Sequence, residues 1–307
     1  MSWRTTEDVA EFLAAAGEFL RAERARNTVL LTVTEQLRLN PSRYPAEPGN
    51  GPLFGWWSDA AGPGGSGTIA SGTIGSGTGT GSGTGTVGGA FLHTPPFPVV
   101  VTDLPAGVAE DLAAALAGRP LGGVNADPAV ARAFAGAWAA AEGCLVEVHR
   151  EQRLYRLAEL TWPDPAPAGA ARIAAEAEIG LLTEWFSAFA REVEDMASHT
   201  DQTAAVRERL GHGGLTVWEA GGEIVSLAGV TRHVAGMVRV GPVYTSPEKR
   251  SFGYASAVTA AVSQQALDAG AEEVLLFTDL ANPVANSIYQ RIGYRPVEDR
   301  VVLAFAG

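Results

Sequence analysis

Residues 244–258 read YTSPEKRSFGYASAV, and residues 275–294 read LLFTDLANPVANSIYQRIGY. The first stretch closes a strand predicted over Met237 to Tyr244, then turns through Pro247, Glu248, Lys249 and Arg250. Arg250, Gly253 and Ala255 form an Arg-x-x-Gly-x-Ala pattern that opens a helix. Val258, Val262, Ala266 and Ala269 fall on one face of that helix, and Gly270 stops it. The free N–H groups and positive dipole end of a helix start suit a phosphate. Gly253 lets the backbone come close, and Ala255 is too small to block it. Arg250 adds a forked donor with a fixed charge. Taken alone, such a turn also fits an ordinary strand–helix connection.

The second stretch narrows the choice. Val274 to Thr278 is a short apolar run, predicted as a strand buried on both faces. Asn282 suits a helix N-cap and Pro283 the first helical position. Ile288 and Ile292, four apart, are expected to face a core. Gly293 ends the helix, and Tyr294 begins the next strand. Asn286 and Tyr289 are three apart, which puts them on one helix face. Tyr289 by itself also reads as a buried aromatic with a satisfied hydroxyl.

With these pieces in order, the chain from about Leu215 to Phe305 resembles the GCN5-related N-acetyltransferase (GNAT) family. The resemblance is carried by GPVYTSPEKRSFGYA, LLFTDLANPVANSIYQRIGY and the closing strands RPVED and RVVLAF. It implies an α/β (α+β) fold and acetyl-coenzyme A as cosubstrate, with no metal. It also implies roles. Val243, Tyr244 and Thr245 match the strand that pairs with the pantetheine arm and polarises the thioester carbonyl. Arg250, Ser251, Phe252, Gly253, Tyr254 and Ala255 match the pyrophosphate loop. Asn286 matches a residue near the coenzyme arm, and Tyr289 the tyrosine that protonates the departing thiolate. Pro242 has no N–H and fits a strand that parts from its neighbour there. The chain departs from the family at one place. Ser251 and Phe252 stand where Arg-Gly-x-Gly is usual, so the cradle survives only if the backbone suits a residue with a Cβ. Phe252 also replaces what is often a basic side chain.

At 307 residues the chain exceeds one such fold, which predicts more than one domain. With 46% apolar and 18% charged residues it can build substantial cores. No run is long and apolar enough to span a membrane. The segment MSWRTTEDVAEF carries acids and no signal-peptide core, so a cytoplasmic protein is expected. A lone cysteine, Cys144, rules out an internal disulfide. His93, His149, His199, His212 and His233 are dispersed, with no metal-ligand spacing. The formal net charge of −12 argues against nucleic acid as the main partner. It is compatible with a cationic amine, and equally with plain solubility.

An internal repeat is visible. LTVWEAGGEIVSLAGVTRH reads strand–turn–strand, as do LFGWWSDA and VGGAFLHTPP across a long insertion. PVVVTDLP with AGVAEDLAAALAG parallels GPVYTSPEK with its helix. GVNADPAVARAFAGAW parallels the Tyr289 segment, with Asp127-Pro128 matching Asn282-Pro283, and LYRLAEL parallels VVLAF. The prediction is a tandem of GNAT-like folds, each a mixed, mostly antiparallel twisted sheet flanked by helices. Residues 1–162 form a degenerate half, 163–170 a linker and 171–307 the catalytic half. Between Thr102 and Glu110 no Arg-x-x-Gly-x-Ala occurs, and Phe134 or Ala135 stands where Tyr289 would. Residues 61–86 are dominated by Gly, Ser and Thr, with isolated isoleucines and no charge, and are read as a mobile hairpin insertion. Ile179 to Glu192 reads as an amphipathic helix with Leu182, Phe186 and Phe189 inward.

These readings converge on an N-acetyltransferase acting on a small-molecule amine by direct attack in a ternary complex. No nucleic-acid or membrane partner is expected, and the protein is expected to be a monomer or homodimer. A non-catalytic acyl-coenzyme A-binding regulatory module is the alternative, followed by another acyl or aminoacyl transferase. Glu184, Glu219, Glu223 and Asp279 are base candidates by type, with a water chain as a substitute. Asp279 reads more readily as a turn or cap residue.

Overall fold

One order of elements is run through twice in the computed structural model, which describes residues 2–42, 50–59, 85–193 and 202–306. The first pass comprises β1 (Ser2–Thr6), α1 (Val9–Ala22), α2 (Thr28–Leu39), β2 (Leu53–Ser58), β3 (Val87–His93), β4 (Val99–Val101), α3 (Val108–Ala115), β5 (Gly123–Ala126), α4 (Pro128–Glu142) and β6 (Leu145–Leu157). The second comprises β7 (Ala170–Ile173), α5 (Ile179–Glu192), α6 (Gln202–Leu210), β8 (Leu215–Ala220), β9 (Glu223–Val230), β10 (Met237–Thr245), α7 (Tyr254–Asp268), β11 (Glu273–Asp279), α8 (Pro283–Arg291) and β12 (Tyr294–Ala306). The expected hairpin insertion lies outside the described residues, apart from its last two. The paired ends of β2 and β3 flank it, with Ser58 opposite Val87.

Local chemistry explains the matching helix starts. Asp127 caps α4 by accepting from the Ala129 N–H, and Asn282 caps α8 by accepting from that of Ala285. Each is followed by a proline whose missing N–H costs nothing at a helix start. Gly107 and Gly253 stand at the starts of α3 and α7, both in the left-handed region, at φ 82° and 85°.

Among the described residues the strands form one twisted sheet of 12, in the order β1-β2-β3-β4-β5-β12-β6-β11-β10-β9-β8-β7. Only β4·β5 and β10·β11 are parallel. Two closed half-sheets were expected. Instead β6 lies between β11 and β12, and β12 lies between β5 and β6. The reason is the β6·β12 ladder, which runs antiparallel from Tyr294 opposite Leu157 to Ala306 opposite Leu145. Each half thus closes on the other's last strand.

Side-chain alternation assigns the two faces of the sheet. Leu154 and Leu275 pack with α1 and α2, whereas the adjacent Tyr155 and Leu276 pack with α7. Helices α5 and α6 cover Val217, Leu227 and Tyr244, on the same face as α1 and α2. Phe134, at the position matching Tyr289, is fully buried and stacks with Trp138 and Phe305. No helix among the described residues is long and apolar enough to cross a membrane.

A buried arginine, ion-paired within β12, also fastens that strand to the first half. Arg300 donates to Glu298 at 3.2 Å, to the Val101 carbonyl at 2.9 Å and to Asn125 Oδ1 at 3.1 Å. Burial pushes the Glu298 carboxyl up, and Arg300 pulls it partly back. Arg300→Leu should therefore cost about 3–5 kcal/mol, because it strands a buried carboxylate. The melting temperature at neutral pH is expected to fall by roughly 10 °C. Adding Glu298→Gln should restore much of it, and a melting curve for the pair of variants checks this.

Candidate active site

Strand β10 changes partners partway along. Met237 to Val240 pair in parallel with Glu273 to Leu276 of β11. From Val243 to Thr245 the strand is held only by Ala228 to Ser226 of β9, after a bulge that contains Pro242. The edge that faced β11 is then open, and a cleft of about 620 Å³ begins there. Val243, Tyr244 and Thr245 form one wall, the turn from Lys249 to Ser256 a second, and α8 a third. Tyr244 is buried, with its ring 5.5 Å from that of Trp185. The Thr245 hydroxyl is 2.8 Å from that of Ser226, and this pins the strand end.

The turn presents donors to the cleft. Its first amides are spent internally, Lys249 donating to the Ser246 carbonyl and Arg250 to that of Pro247. Past them, α7 begins at Gly253 with no side-chain cap. Ser251 adopts φ 68°, the conformation in which glycine is at ease. The departure at Ser251 is thus accommodated by a residue with a Cβ sitting in the left-handed region, at a cost of about 1–2 kcal/mol. Gly253 is required by its φ and not by space, since an added Cβ would only touch Pro167 at 3.8 Å. It follows that Ser251→Gly should keep or tighten acetyl-coenzyme A binding. Ser251→Val, β-branched at positive φ, should weaken it roughly tenfold or more. Titration calorimetry on both variants tests this.

Lys249, Arg250 and Arg291 line the cleft against one acid, Glu192, among the described residues. Arg250 donates from Nε to the Thr245 carbonyl at 3.1 Å and from Nη2 to Glu192 at 2.6 Å, and it lies over the Tyr244 ring. The Glu192 bond holds the guanidinium pKa above its ordinary value. Lys249 pairs with Glu223 at 2.7 Å. Tyr254 and Ala255 line the cleft. Phe252 does not. It is 63% exposed and stacks on Tyr254, so only its backbone belongs to the turn.

Tyr289 reaches the cleft from α8. It is half-buried, its ring meets Tyr294 edge-on at 6.1 Å, and burial pushes its hydroxyl up to about 12. Asn286, expected beside the coenzyme arm, has its side chain engaged outside the cleft. Its Nδ2 donates to the carbonyls of Asp279 and Asn282, and its Oδ1 accepts from the Tyr155 hydroxyl at 2.9 Å. It forms a stripe with Gln290, which donates to the same hydroxyl, and neither residue lines the cleft. Tyr155 comes from β6, so the first half anchors the helix that carries Tyr289. Ile288, expected to face a core, is a correction. It lines the cleft with Val284 and Arg291, while Ile292 is buried as expected. That Val284–Ile288–Arg291 spacing was the missed signal, because it marks one helical stripe.

None of the four acids weighed as a base lines the cleft. Glu219 pairs with Arg172 at 2.7 Å, Glu223 holds Lys249, and Glu184 is exposed. Asp279 accepts from the Ala281 N–H at 2.7 Å, which is the turn role. No group of three or more His, Cys, Asp or Glu among the described residues could hold a metal ion.

Residues 180–294, from α5 to the start of β12, match the family model described as acetyltransferase (GNAT) family. Several solved structures are similar over nearly the whole chain. A GNAT-family acetyltransferase from Colwellia psychrerythraea shares 10% identity, with all of both chains covered and a TM-score of 0.54. A Drosophila protein shares 14% identity over 99% of this chain and 98% of its own, with a TM-score of 0.60. A GCN5-related N-acetyltransferase from Sphaerobacter thermophilus shares 14% over 98% and 94%, with a TM-score of 0.52. No curated protein matches. The structural likenesses establish the fold across both halves, a twisted, mostly antiparallel sheet flanked by helices. The family match spans residues 180–294, and that stretch is similar to the GNAT acetyltransferase family.

Proposed function

We propose that the protein transfers an acetyl group from acetyl-coenzyme A to the amine of a small molecule, by direct attack in a ternary complex. The observation that carries this reading is one cleft lined by three features. These are the open edge of β10, the uncapped start of α7 beside Arg250, and the desolvated hydroxyl of Tyr289. The donor set suits a diphosphate, with backbone N–H groups at a helix start and cations around them. When bound, acetyl-coenzyme A supplies the acyl group and a thiolate leaving group.

The chain's own residues do the rest. Backbone N–H groups near Val243, released from β11, are placed to polarise the carbonyl; one such donor can be worth ~3 kcal/mol. Tyr289 holds its proton at working pH and delivers it to the departing sulfur. The acceptor amine loses its proton to water, since no acid other than Glu192 lines the cleft among the described residues, and Glu192 is engaged by Arg250. The duplicated element order supports reading the chain as a tandem of GNAT-like halves, the first degenerate. At its corresponding helix start, α3 carries Glu110 and Asp111 in the first turn, which repel a phosphate.

The test is calorimetric titration with acetyl-coenzyme A, using the parent, Arg250→Ala and Gly253→Trp. Micromolar binding lost in both variants supports the site, and thiol release across an amine panel then tests catalysis. The Glu192–Arg250 pair favours one competing reading, a non-catalytic acyl-coenzyme A-binding module whose cofactor arginine is already occupied. Binding without thiol release for any amine would select that reading.

A further inference from the structure

A second cavity, of about 200 Å³, lies on the face covered by α2 and shares no lining residue with the cofactor cleft. Its walls are Val29 and Val33 of α2, Leu92 of β3, Phe97, Val100 of β4 and Val302 of β12. Its polar lining is Thr94, Asn125 of β5 and Arg150 of β6, with no carboxylate.

That polar set can only donate to an anion. Asn125 Oδ1 accepts from Arg300 Nε at 3.1 Å, and its amide N–H groups are left to offer to a ligand. Arg150 donates one Nη1 bond to the Val193 carbonyl at 3.3 Å. Its Nε is buried without a hydrogen-bond partner, and no ion pair forms at Arg150 among the described residues. A guanidinium stays charged at any working pH. A buried donor of this kind is costly until an acceptor arrives.

We propose that this cavity binds a small monocarboxylate with a compact apolar body. The carboxylate sits on Arg150 and Asn125, and the tail lies among Val29, Val33, Leu92 and Val302. The volume corresponds to roughly seven water molecules at about 30 Å³ each, which fits a carboxylate of four to six carbons. A lining that carries a guanidinium and no carboxylate disfavours an amine, and the apolar walls disfavour a bare inorganic anion. The site would give the first half of the chain a ligand of its own.

The full-length protein is titrated with 4-methylpentanoate and, separately, with its uncharged amide, 4-methylpentanamide. The carboxylate is expected to bind at least about tenfold tighter than the amide, a difference of one decade in Kd. Arg150→Met should erase that preference, and Val33→Trp, which fills the cavity, should abolish both. Melting temperature and acetyl-coenzyme A binding of each variant report that it is folded. Equal binding of carboxylate and amide would overturn the proposal. So would carboxylate binding that survives both substitutions, or none at about 10 mM ligand.

Discussion

A polypeptide of residues 171–307 alone is expected not to fold as a monomer, although it carries every residue of the candidate cofactor cleft. Its β11 and β12 do not touch each other; β6 of the first half stands between them. Removing β6 takes away the ladder partner of both strands. It also removes Leu154 and Tyr155, each fully buried. Two such side chains contribute on the order of 3–6 kcal/mol by burial alone. The exposed N–H and C=O groups of two interior strands add to the loss. Against a typical net stability of about 5–15 kcal/mol, that deletion is decisive. The fragment should aggregate, or else dimerise by placing β12 of a second copy where β6 belongs. Co-expression with residues 1–162 should restore a soluble complex that binds acetyl-coenzyme A. Size-exclusion chromatography and circular dichroism read the result. A monomeric fragment with a cooperative melt would show that β6 is dispensable.

The same strand explains what was legible in the sequence and what was not. The elements around the cleft could be read in advance because their signals are local. Asn282-Pro283 announces a helix start, Gly270 and Gly293 announce ends, and Val274 to Thr278 announces a strand buried on both faces. The repeat was legible for the same reason, since Asp127-Pro128 restates Asn282-Pro283. The exchange of β6 and β12 was not. A period of two assigns side chains to faces, and nothing in it says which partner a strand takes. The contacts of Asn286 and Ile288 were hidden by a related limit. Helical spacing shows which residues share a face, but the neighbour that face meets is set by tertiary contacts. Tyr155, the neighbour that claims Asn286, lies more than a hundred residues earlier in the chain. The Glu192–Arg250 pair joins two distant segments in the same way. Ser251 shows a third limit. Its residue type spoke against a left-handed turn, and only the backbone reveals that the turn is made regardless.

Tyr289→Phe is expected to lower turnover with acetyl-coenzyme A by about 100- to 10,000-fold, the usual contribution of a positioned acid. Binding of acetyl-coenzyme A should be nearly unchanged. The substitution keeps the ring that meets Tyr294 edge-on and removes only the hydroxyl. Burial pushes that hydroxyl up to about 12, so it is protonated throughout an assay between pH 7 and pH 10. Loss of its proton therefore cannot produce an alkaline fall in the parent's rate over that range. The leaving group behaves differently. An alkyl thiol has a pKa of about 8.5, so above that pH the thiolate departs with progressively less need of a proton. The deficit of Tyr289→Phe should consequently shrink as pH rises from 7 to 10, chiefly through a gain in the variant's kcat, with KM for acetyl-coenzyme A steady. A purely structural role would give a deficit independent of pH, and it would raise KM along with lowering kcat. Turnover equal to the parent at pH 7 would remove Tyr289 from the chemistry, and proton delivery would then pass to solvent entering the cleft at the open edge of β10.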